Sequence, residues 1–179
     1  DIGNNAVVID GVRRGMDVDS CDEAGLSLLM RAAREGNLDL VDFLLRNRAN
    51  LRARTSWGDG AMSLAAQKGH TDVVRRLIQG GGEVNQPGWS AILYAAMEGH
   101  VDTVKLLLEK GANPDSRAPS QLTPLMIASR NGHIDVVRVL LAAKADPNAR
   151  NDRGDTAIKW ALDAQNTDIG DLLRAAGAR

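Results

Sequence analysis

The chain has 179 residues, with 22 basic against 23 acidic side chains, a net charge of −1, and only 3% aromatic residues. That balance gives no electrostatic case for nucleic acid or an anionic membrane surface, and the scarcity of aromatics argues against a platform for stacking bases. No apolar run approaches the ~18 residues of a membrane span, and Cys21, the sole cysteine, has no partner for an intrachain disulfide.

In chain order, residues 3–21 read as a short helix with a meagre apolar face of Val7, Val8 and Val12, followed by Gly15-Met16-Asp17-Val18-Asp19 running into a hairpin. From residue 22 a cassette appears that then recurs. A first helix rich in small residues centres on Ala32-Ala33, Gly36-Asn37 breaks it, and a second helix carries the apolar stripe Phe43-Leu44-Leu45. The small pair returns as Ala65-Ala66, Ala95-Ala96, Ala128-Ser129 and Ala161-Leu162, at spacings of 33, 30, 33 and 33 residues. The break returns as Gly69-His70, Gly99-His100, Gly132-His133 and a worn Gln165-Asn166; the stripe returns as Leu77-Ile78, Leu106-Leu107-Leu108 and Val139-Leu140-Leu141. Neither helix of a cassette can bury its apolar face alone. A period near 33 therefore predicts an array whose units make a core only by stacking.

Thr123-Pro124-Leu125, the Gly-His pairs, Gly111-Ala112-Asn113 and Val84-Asn85 resemble the ankyrin repeat, over nearly the whole chain. The resemblance implies an all-α solenoid of helix-turn-helix units with β-turn hairpin fingers. It divides residues 1–179, taken as one domain, into an N-terminal half repeat (1–21), repeats at 22–54, 55–86, 87–116 and 117–150, and a C-terminal capping repeat at 151–179. Counting back one period from Gly36-Asn37 lands on Gly3-Asn4, so the chain opens just before a second helix. Two readings follow: a piece cut from a longer protein, or a degenerate cap.

Departures from the pattern carry expectations of their own. Arg48 and Lys144 occupy a helix-ending slot held elsewhere by Gly81, Gly111 and Gly177, which predicts left-handed backbone at both. The finger Asn85-Gln86-Pro87-Gly88-Trp89 is three residues short, with Pro-Gly suited to a tight turn and a notch expected beside Trp89. The finger Ala118-Pro119-Ser120-Gln121 lacks the usual Gly. In the last repeat Gly170 replaces a Val and Arg174 a stripe Leu, as a solvent-facing cap requires.

Catalysis is not expected. His70, His100 and His133 share one slot, and equivalent slots of stacked repeats lie ~8–10 Å apart, too far to converge on a metal about 2 Å away. Each is expected to pack and hydrogen-bond at its interhelical turn. Cys21 has no nearby base, Gly80-Gly81-Gly82 follows a helix rather than opening one, and no acid–base constellation is visible, so no cofactor or metal site is predicted.

The resemblance implies instead that a protein partner docks on the concave face of a monomer. The fingers bring Glu23, Leu26, Trp57, Asp59, Trp89, Leu122, Arg153 and Asp155 to that face; the ends of the first helices bring Arg34, Glu35, Gln67, Lys68, Met97, Glu98, Arg130, Asn131 and Asp163. The partner-binding set narrows to Trp57, Asp59, Gln67, Lys68, Trp89, Met97, Glu98, Leu122, Arg130 and Asn131, with Trp57, Trp89, Met97 and Arg130 at its centre. A finger tryptophan can also lie flat and serve only packing, and Trp160, in a slot shared with Leu64, Tyr94 and Ile127, is expected to pack. The rival reading is a regulatory or autoinhibitory segment of a larger enzyme. A cytoplasmic location is the default, with export from a bacterium the alternative suggested by the Ala- and Arg-rich ending.

Overall fold

A computed structural model describes residues 5–179; the expected turn at Gly3-Asn4 lies outside them. The first helix, α1 (Asn5–Arg13), is followed by helix pairs: α2 (Leu28–Arg34) with α3 (Leu38–Arg46), and α4 (Ala61–Gln67) with α5 (Thr71–Gln79). Then come α6 (Ala91–Glu98) with α7 (Val101–Glu109), α8 (Pro124–Asn131) with α9 (Ile134–Ala142), and α10 (Ala157–Asp163) with α11 (Thr167–Ala175). The pairs fall into two compact units, one ending at Glu83 and one spanning Val84–Arg179. The fold is the all-helical ankyrin type that the repeat implied. One isolated antiparallel bridge, Cys21 with Ser27, marks the first finger.

Within the first unit α2 packs on α4, α3 on α5, and α1 on α3. Within the second, α6, α8 and α10 pack in series and α7, α9 and α11 run behind them. α1 thus behaves as a second helix, as the register requires. The series works because the small pairs admit close approach: Ala32, Ala33, Ala65, Ala66, Ala95, Ala96, Ala128, Ser129 and Ala161 are fully buried. The equivalent leucine of each second-helix stripe, Leu44, Leu77, Leu107, Leu140 and Leu173, is likewise completely enclosed.

The helix starts are chemically distinct. First helices begin at residues that suit an N-cap: Ser27 Oγ accepts the Met30 N–H and Thr123 Oγ1 that of Met126, with Pro124 in the first turn. The second helix of each pair carries an aspartate in its first turn, Asp39, Asp72, Asp102, Asp135 and Asp168, where the helix dipole favours negative charge; α1 has none.

The turns between them explain the Gly-His pair. His70 Nε2 is 3.1 Å from Arg34 O and His133 Nε2 is 2.9 Å from Met97 O, so each imidazole ties its repeat to the end of the previous first helix. A Cβ at Gly36 or Gly99 would come within 2.6 Å of those rings, and both glycines have positive φ. Asn166 does the same work in the last repeat, donating to Ser129 O and Arg130 O.

Arg48 (φ 63°) and Lys144 (φ 64°) are left-handed, as the slot demanded. Gln165 (φ 62°) joins them, because the turn before α11 keeps the geometry of its glycine-bearing copies. The finger without glycine pushes Ser120 (φ 64°) and Gln121 (φ 57°) into the same region. One expectation needs correction: Gly170 does not face solvent. It is buried, and Leu162 folds over it, 3.0 Å from where a Cβ would sit, so the missing Val side chain is replaced by a residue of the neighbouring helix.

Leu107→Ala is expected to cost ~2–5 kcal/mol in urea denaturation, since a fully enclosed leucine leaves a cavity. Lys144→Gly should add roughly 0.5–1 kcal/mol by relieving the left-handed backbone; an unchanged denaturation midpoint would show the strain to be negligible.

Candidate functional site

The fingers set the geometry of the face. In three of them one side-chain oxygen closes the loop. Asp22 Oδ1 accepts the N–H groups of Ala24 and Leu26 at 3.0 and 2.9 Å. Thr55 Oγ1 accepts those of Trp57 and Asp59 at 3.3 and 3.2 Å. Asn151 Oδ1 accepts those of Arg153 and Asp155, both at 2.9 Å. Ala118 holds the same slot and has no oxygen to offer. That finger tightens instead into a 3₁₀ turn, Pro119–Gln121, braced by Arg117 Nη1 donating to Gln121 O and Arg150 O. Asp, Thr and Asn in register are a legible signal for such turns, and the sequence reading passed over it.

In the first unit, Trp57 stands at a finger tip and is 88% exposed. Asp59 and Gln67 are half-buried and Lys68 is exposed. Trp57 is therefore no packing residue within its own unit.

In the second unit the repeat register arranges the face as three rows. The residues before the first helices are Trp89, Leu122 and Asp155. The middles of those helices give Tyr94, Ile127 and Trp160, and their ends give Met97, Arg130 and Asp163. Trp89, Met97 and Leu122 are partly buried against a cluster of Leu93, Ala118 and Ile127. The Trp89 ring also lies 5.3 Å from that of Tyr94, at 36°. Trp89 is thus half anchored and half presented. Glu98, at the end of α6, is exposed.

At the other end of the rows the character changes. The Arg130 guanidinium lies 5.2 Å above the Trp160 ring. Asn131 donates through Nδ2 to Met97 O at 2.8 Å, sharing that carbonyl with His133. Arg130, Asn131, Arg153, Trp160, Asp163 and Ala164 line an open cleft of about 540 Å³. A smaller hollow of about 280 Å³ adjoins it through Arg153 and Trp160 and reaches Leu122. Trp160 was expected only to pack. It is 8% exposed, yet its edge forms part of both hollows.

Beneath the cleft, charges are paired. Trp160 Nε1 donates to Asp155 Oδ2 at 3.4 Å, and Asp155 also meets Arg153 (3.3 Å) and Lys159 (3.5 Å). Burial pushes the Asp155 carboxyl up, but the indole N–H, Lys159 and Arg153 outweigh it and hold the group below the usual carboxylate range. Lys159 also reaches Asp163 at 2.6 Å; that hydrogen bond first, then the charges of Asp155 and Asp163, raises its ammonium above the usual lysine value.

Among the described residues, no group of three or more His, Cys, Asp or Glu side chains could hold a metal ion, and no helix is long and apolar enough to cross a membrane. Cys21 is exposed, its thiol directed at Asp19 O.

Comparison with known proteins agrees with the repeat. A family model described as ankyrin repeats (3 copies) matches residues 29–118, and one described as ankyrin repeats (many copies) matches residues 107–161. The B-cell lymphoma 3 protein homolog of Mus musculus is 33% identical over 73 residues, which is 40% of this chain and 16% of the length of the mouse protein.

Because its folded-state value is lowered, Asp155 contributes stability that is present above the ordinary carboxylate range and lost as pH falls through the lowered value. Trp160→Phe removes the indole N–H, so the Asp155 carboxyl should titrate at higher pH in a ¹³C-NMR titration than in the unsubstituted chain. An unmoved titration would mean the indole bond has no influence on the carboxylate.

Proposed function

The chain belongs to the ankyrin-repeat family, and on that premise we propose that it is a non-catalytic module that binds another protein through the face formed by its fingers and first helices. The observation that carries this reading is the half-buried surface of Trp89, Met97 and Leu122. These three side chains are held in place by Leu93, Ala118 and Ile127 and still offer apolar area to solvent. Immobilised apolar and aromatic side chains lose little conformational freedom on binding, which is why such residues concentrate interface energy. Trp57, at its exposed finger tip, supplies a second contact of the same chemistry in the first unit.

The test is capture of partners by the tagged chain from a lysate of its source organism, with the Trp57→Ala/Trp89→Ala double variant alongside and mass spectrometry as the readout. A protein retained by the parent chain and lost by the variant is the expected result. With that protein purified, Trp89→Ala should weaken binding by ~2 kcal/mol or more, with only a small fall in melting temperature. Identical capture by both chains would move the interface off the tryptophans and sink this reading.

A further inference from the structure

The cleft over Trp160 holds a cation whose hydrogen-bonding capacity is not used. Arg130 sits over the indole face, its Cζ 5.2 Å from the ring centroid. Among the described residues its N–H groups make no hydrogen bond and no ion pair. The acid in the cleft's lining, Asp163, is by contrast paired with Lys159, and Asp155 beneath it is held by Arg153, Lys159 and the indole N–H. Arg153 uses only Nε on Asp155, and its side chain is 74% exposed. Two guanidinium groups therefore present open donor edges at one cleft, and the carboxylate in its lining, Asp163, is already paired with Lys159.

Resting on the binding face assigned above, we propose that this cleft takes an aspartate or glutamate side chain from an extended segment of the protein partner, its carboxylate received by Arg130 and Arg153. A planar guanidinium matches a carboxylate in a two-point fork. A singly charged group suits the place better than a phosphate, because Asp163 lines the cleft and Asp152 the adjoining hollow, and both repel a doubly charged anion more strongly. The apolar side of the occupant is also specified. Leu122 borders the smaller hollow and belongs to the apolar surface with Trp89 and Met97. An acidic residue on Arg130 thus places its chain neighbours over that surface, so the recognised segment pairs an acid with an adjoining apolar side chain.

Random peptides displayed on phage, selected against the immobilised 179-residue chain, give the probe, and a fluorescent consensus peptide measures affinity by anisotropy. The enriched peptides should share an Asp or Glu next to an apolar residue. Arg130→Ala should weaken the consensus peptide about tenfold, in keeping with a charge-assisted pair, and an acid-to-amide change in the peptide should cost the same without adding to it. Arg130→Glu, paired with an arginine at the peptide's acidic position, should recover binding, an outcome that damage to the fold would not produce. A common sequence without an acid, or binding lost in Trp89→Ala but unchanged in Arg130→Ala, overturns the carboxylate assignment and leaves the binding face standing. Peptides indifferent to both substitutions overturn the two together, and a selection with no common sequence overturns the carboxylate assignment.

Discussion

The contact on which the rest of each unit depends is the meeting of first helices at their small residues. Ala32-Ala33 against Ala65-Ala66 in one unit, and Ala95-Ala96, Ala128-Ser129 and Ala161 in the other, leave no solvent between backbones. At that separation the turn residue of one repeat can reach the main chain of the one before, as His70 reaches Arg34 O and His133 reaches Met97 O. Larger side chains at the alanines would part the helices and break both links. Stacking consumes one side of every helix, and the finger exits and the far side of the first helices are where partly buried apolar side chains still meet solvent.

Much of this was legible because the repeat supplies its own ruler. Once the register was set, Arg48 and Lys144 had to be left-handed, and α1 had to be a second helix. Gln165 stands in the glycine slot of the worn last turn; no expectation was drawn from it, and the turn kept its geometry without the glycine. What could not be read was compensation between neighbours. Gly170 looks like an opened face, but Leu162 closes it from another helix. Ala118 looks unremarkable until its counterparts Asp22, Thr55 and Asn151 are seen to close their fingers with side-chain oxygens.

The three tryptophans show why residue type alone does not locate a site. Trp57 projects from a finger tip and touches little. Trp89 leans on Tyr94 and a small apolar cluster, half presented. Trp160 is enclosed, yet orients Arg130 from below and gives its N–H to Asp155. Sequence reasoning ranked the first two as binding residues and the third as filler. It treated slots singly, whereas the cleft arises from Arg130 of one repeat lying over Trp160 of the next, a relation between slots.

That overlap has a thermodynamic consequence. At the exposed finger tip, Trp57 can change without touching the stack. At Trp160 the indole that shapes the cleft is also part of the packing of α10, so occupancy and folding of the last repeat draw on the same atoms. Whatever binds there with Arg130 raises the free energy needed to unravel α10 and α11, by mass action on the folded form alone.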